Sequence, residues 1–94
     1  MKNPSHPGRL LKADLDELGL GVAEAAKAMG VTRQQLHRVI KGDSGLSPEM
    51  ALRAEKAIGG SADFWLKAQM NYDLAQARLR LPSLDIKRLE KRAA

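Results

Sequence analysis

Cysteine is absent from all 94 residues, which removes disulfides and thiolate metal sites. Histidine is scarce: His6 and His37 stand alone, without the close spacing of a zinc-binding pair. No stretch approaches the roughly 20 apolar residues of a membrane-spanning helix. The opening MKNPSHPGRLLKAD lacks the unbroken apolar core of a secretory signal, so a cytoplasmic setting is expected. β-branched residues are scattered, and nowhere do polar and apolar residues alternate long enough for a strand. What remains is one small all-α domain, stabilised by helix packing or by a second copy, since a single core buries only about 60 to 70% of the surface of a chain this size.

What is present is basic and helical. Sixteen Lys and Arg against eleven Asp and Glu give a net charge of +5 and a pI near 9.9. That balance suits an anionic partner without selecting one, because basic proteins with no nucleic-acid ligand are common. Start and stop signals mark five helices. The first begins at Pro7, carries Leu10, Leu11, Leu15 and Leu18 along one stripe, and stops at Gly19. The second spans about 22–29 and ends at Gly30. Thr32 followed by Gln35 is a capping box, so the third runs from Arg33 to about Lys41, before Gly42. Ser47, Pro48 and Glu49 open a fourth that closes at Gly59, and Ser61 or Asp63 caps a fifth reaching about Arg80. Residues 1–81 then form the folded domain, and 82–94 a basic C-terminal tail, either a frayed helix or disordered.

The segment GVTRQQLHRVIKG carries the functional signal. Leu36, Val39 and Ile40 share one face of the third helix, leaving Arg33, Gln34, His37, Arg38 and Lys41 largely on the other. Ala25 and Ala26 in the preceding helix permit a close crossing, Gly30 permits a sharp turn, and Met29 and Val31 plug the angle. This is the helix-turn-helix arrangement, whose second helix enters the major groove of DNA. Arginine pairs with guanine and glutamine with adenine, which makes Arg33, Gln34 and Arg38 the candidate base readers. His37 is a base or phosphate contact, Lys27 and Lys41 are phosphate anchors, and Thr32 joins the set at the helix entry, where a helix N-terminus holds phosphate. The competing reading is an amphipathic helix whose polar face is merely solvated.

Three stretches in this order and spacing, HPGRLL, GVTRQQLHRVIKG and GLSPEMALRAEKAIGGSADFWLKAQMNYDLAQA, resemble the HigA family of antitoxins over about residues 6–80. These are small lambda-repressor-like helix-turn-helix proteins. The resemblance implies a five-helix domain that binds operator DNA as a homodimer, represses its own operon and neutralises a RelE-like, ribosome-dependent mRNA endonuclease. No cofactor is expected. One departure is Arg9, where the family carries an acid after HPG.

The fifth helix holds more apolar surface than one face can pack onto four others, which points to a dimer interface drawn from Phe64, Trp65, Met70, Tyr72 and Leu74. The alternative for any single aromatic is closure of the monomer core. With DNA on one face and the dimer on another, a toxin is expected on the N-terminal arm and first helix, where Asp14, Asp16 and Glu17 could pair with basic residues. Ser5, His6 and Asp14 or Asp16 can be written as a triad. Adjacent serine and histidine in an arm show no oxyanion site or pocket, so catalysis is not expected and His6 reads as a helix-entry residue or partner contact. Two rivals stay open: a stand-alone regulator without a toxin, and an interaction module that binds no DNA.

Overall fold

Every helix but the second starts where a side chain closes its first turn, in a computed structural model that describes residues 4–81 and 85–90. Helix α1 (Pro7–Leu18) is entered through His6, whose Nδ1 accepts a hydrogen bond from the Gly8 amide at 2.9 Å, while Pro7 stands where no amide needs a partner. Helix α2 (Val22–Met29) follows Gly21, which supplies no side-chain cap. In front of α3 (Arg33–Lys41) the capping box is complete: the Gln35 amide donates to Thr32 Oγ1 at 3.0 Å, and the Thr32 amide donates to Gln35 Oε1 at 2.8 Å. Ser47 caps α4 (Pro48–Ile58), and Ser61, not Asp63, caps α5 (Ala62–Arg80). These bounds match those expected, and no strand occurs among the described residues. The fold is all-α and lambda-repressor-like.

Helix α1 packs on α3 and α5, α4 packs on α2 and α5, and α2 and α3 cross each other. The core between them is Leu11, Leu15, Ala25, Ala26, Met29, Leu36, Val39, Leu46, Ala51, Ala54, Ala62 and Trp65. Alanines dominate the α2 and α4 contributions, which lets those axes approach closely. Of the stripe expected on α1, Leu11 and Leu15 are fully buried, whereas Leu18, in the last turn before Gly19, is 54% exposed.

The tightest crossing is at Gly8. A Cβ there would overlap the Val39 carbonyl oxygen and stand 3.0 Å from Ile40 Cα, so the first turn of α1 rests backbone to backbone on the last turn of α3. Helices α1 and α5 run antiparallel: His6 meets Tyr72 at one end, and Leu18 lies beside Gly60 at the other. Two side chains tie neighbouring segments together. Gln69 Oε1 on α5 accepts from the Leu46 amide at 2.7 Å, and Glu55 Oε2 on α4 accepts from the Ala62 amide at 2.8 Å, satisfying a free donor in the first turn of α5.

His6 is the buried polar residue of this junction, 7% exposed, its ring edge-on to Tyr72 with centroids 4.9 Å apart. Burial lowers its pKa from the ordinary 6.5, against weaker upward pulls from Asp73 and a backbone hydrogen bond with Ser44. The neutral ring is what the fold requires, because Nδ1 must keep a lone pair for Gly8. Beyond α5, residues 85–90 are exposed and carry no helix, while the rest of the expected tail, 82–84 and 91–94, lies outside the described residues. No helix among the described residues is long and apolar enough to cross a membrane.

Candidate nucleic-acid interface

The α2–turn–α3 unit is set by small residues and one distant arginine. Ala25 and Ala26 are buried in the core that also takes Leu36 and Val39 of α3, and α2 and α3 pack on each other. Gly30 takes φ +73°, a left-handed conformation that glycine adopts without strain, and the Val31 amide then closes back on the Ala26 carbonyl at 3.0 Å. Arg53 of α4 donates from Nη1 to the Met29 carbonyl at 3.0 Å, capping the end of α2, and its Nε donates to Glu49 at 3.1 Å. The Glu49–Arg53 spacing is visible as an i,i+4 pair. The reach to Met29 has no local signature and was missed by the sequence reading.

With that unit fixed, α3 presents its polar residues together. Thr32, Arg33, Gln34, His37, Arg38 and Lys41 are all exposed. Arg33, His37 and Lys41 follow one another at intervals of four along one ridge, with Gln34 and Arg38 forming the adjacent ridge. Lys27 is exposed in the last turn of α2. Beside the second ridge lies a groove of about 460 Å³ lined by Gln34, Arg38, Ser44, Gly45, Ser47 and Met50 among others, with no carboxylate in its walls. Thr32 and Ser47, the caps of α3 and α4, both border it, so two helix N-termini open onto one concave surface. The Lys41–Asp43 pair, 3.5 Å apart with both side chains more than half exposed, is the only ion pair on these ridges among the described residues.

The residues expected at a dimer interface do not form one patch. Trp65 is 1% exposed and belongs to the core of its own protomer, which corrects its assignment: it packs under Gly60, where a Cβ would come within 2.6 Å of its ring. Tyr72 is half-buried against His6. Phe64 is exposed but lies about a third of a turn away from Met70 at about 100° per residue. Met70 and Leu74 do share a face, Ala77 lies one helical turn further along it, and the exposed Leu81 follows at the C-cap of α5; neither Ala77 nor Leu81 was singled out from sequence. On α1, Asp16 is paired within its own helix to Lys12. Asp14 and Glu17 come together instead with Leu18 and Ile58 around a shallow depression of about 210 Å³.

Residues 11–65 match the helix-turn-helix family HTH_3. Among curated proteins, virulence-associated protein A' of Dichelobacter nodosus is 52% identical over 77 residues, covering 81% of this chain and 67% of the relative. The structure is similar to that of antitoxin GraA, at a TM-score of 0.87 and 29% identity over 95% of this chain and all of the other. It is also similar to Pseudomonas aeruginosa antitoxin HigA, solved with the higBA promoter, at a TM-score of 0.78 and 31% identity over 84% and 87% of the two chains.

Proposed function

The chain belongs to the helix-turn-helix family HTH_3, and on that footing we propose that it is a HigA-type antitoxin, a dimeric, sequence-specific repressor of its own operon that also binds and silences a basic RelE-like ribonuclease. The observation that carries the DNA half is the exposed double ridge of α3, held at a fixed angle by the capping box and by Arg53. Its chemistry suits the major groove: Arg33, Gln34 and Arg38 are the base readers, His37 a base or phosphate contact, and Thr32, Lys27 and Lys41 the backbone contacts. The likeness to a HigA solved with promoter DNA supports the same reading. Such a protein works in the cytoplasm.

The dimer is assigned to the α5 stripe of Met70 and Leu74, continued by Ala77 and Leu81, with a twofold axis that makes the operator an inverted repeat of half-sites about 10 base pairs apart or a multiple of that. Toxin contact is assigned to the opposite end of α1. There Asp14 and Glu17 flank the exposed Leu18, so a basic side chain can lay its stem on the leucine and its charge between the carboxylates.

The DNA half is tested by selecting duplexes from a random pool and comparing two variants. Arg38→Ala should lose about 1 to 3 kcal/mol on the selected site only, whereas Lys41→Ala should weaken selected and random duplexes alike. Equal losses on both duplexes for both variants would remove base reading from Arg38. The toxin half is tested by co-purifying the product of the neighbouring reading frame: capture by the native chain and loss on Asp14→Lys with Glu17→Lys, operator binding unchanged, is the expected result. A neighbour that neither binds nor is neutralised would leave a stand-alone repressor.

A further inference from the structure

A second basic concavity lies beside the recognition helix. Ser5, Arg9, Ile40, Lys41, Tyr72 and Gln76, with the buried His6, line a depression of about 330 Å³ where the entry to α1, the last turn of α3 and the middle of α5 meet. Its walls carry two cations and no carboxylate. Arg9 is exposed and makes no ion pair among the described residues. Lys41 is held only by its exposed partner Asp43, a pair of the kind that contributes little and exchanges easily. Position follows from Gly8: because its backbone rests on Val39 and Ile40, the next residue, Arg9, is anchored beside the end of α3 whatever its side chain does. Lys41 also terminates the outward ridge of Arg33 and His37, so the depression is continuous with the surface assigned to DNA.

We propose that this depression is a phosphate site that extends the DNA footprint, Arg9 and Lys41 together holding a backbone phosphodiester just outside the half-site read by α3. The inference rests on the DNA-binding reading above. Two positive side chains facing one cavity attract the two non-bridging oxygens of a monoanionic phosphodiester by charge, and the Ser5 hydroxyl and Gln76 amide in the lining add neutral donors. A contact of this kind positions the protein and carries no base information, so it should show in salt dependence and not in selectivity.

The test uses the full chain and two operator duplexes, one ending at the outer edge of the half-sites and one longer by about 5 base pairs, half a helical turn, at each end. On the longer duplex, Arg9→Ala should lower the slope of log affinity against log salt by about 0.9 per protomer, which over the range from about 50 to about 200 mM salt is about a 3.5-fold difference per protomer. On the shorter duplex it should match the native chain, its ratio of selected to random affinity should be unchanged, and Arg9→Lys should restore the slope. Arg9→Ala indistinguishable from the native chain on the longer duplex, with native binding intact, overturns the phosphate site alone. A native chain that binds no duplex overturns the underlying reading and the site with it. An equal loss on both duplexes, or a changed selectivity, also overturns the proposal, since it would place Arg9 inside the half-site.

Discussion

Replacing Gly8 by alanine sets two effects against each other, and the structure decides between them. Helix propensity alone favours alanine by about 1 kcal/mol in a helix interior, less in a first turn. Against this, the new Cβ would overlap the Val39 carbonyl oxygen, a backbone atom that cannot rotate aside as a flexible side chain would. Overpacking of that kind costs about 1 to 3 kcal/mol. Lifting the first turn of α1 to relieve it also strains the Gly8–His6 hydrogen bond, worth about 1 kcal/mol. The net expectation is a loss of about 1 to 3 kcal/mol, which in a domain of this size lowers Tm by about 4 to 8 °C per kcal/mol. Denaturant titration and a thermal melt of the purified variant read both numbers. DNA affinity should fall as well, because the displaced contact is the last turn of the recognition helix. A Gly8→Ala protein as stable as the native chain, or more so, would refute the backbone contact and leave propensity as the governing term.

Leu74→Glu should shift the protein toward a monomer in sedimentation at micromolar concentration and weaken operator binding with it, whereas Phe64→Glu, on another face, should change the oligomeric state much less. Because the folded pKa of His6 lies below 6.5, its contribution to stability is complete above that value and is lost as pH falls from about 6.5 toward the folded pKa; chemical denaturation across pH 5 to 8 should show that decline (a range of about 3 pH units around the histidine midpoint), and His6→Asn, which keeps a short cap for α1, should flatten it. Arg53→Ala should cost about 1 kcal/mol by uncapping the Met29 carbonyl, while Glu49→Ala, which removes only the exposed ion pair, should be nearly silent in the same melt.

Those residues also mark how far sequence reading reaches. The bounds of α3 were legible because Thr32, Gln35, Gly30 and Gly42 act within four residues of where they stand, and the outward ridge follows from the spacing of Leu36 and Val39. Membership of α5 residues in the core was not legible. Its apolar side chains are spread around the helix, so no single stripe separates Trp65, which is buried, from Phe64 beside it, which is not. The same holds for contacts that span the chain. Arg53 reaches back to Met29, Gln69 to Leu46, and Gly8 is required by Val39; each depends on how two elements meet, and neither partner announces the other.

Five of the twelve buried core residues among those described are alanine: Ala25, Ala26, Ala51, Ala54 and Ala62. An alanine core loses almost no rotamer freedom on folding, yet it has nothing to give up either. Where a leucine-rich interior is damaged mostly by truncation, every replacement at these five positions adds atoms to a space already filled or, for glycine, loosens a helix. The mutational tolerance of the fold should therefore be lopsided, with large exposed positions such as Leu52 and Phe64 accepting substitution at less cost to stability than these five small buried ones.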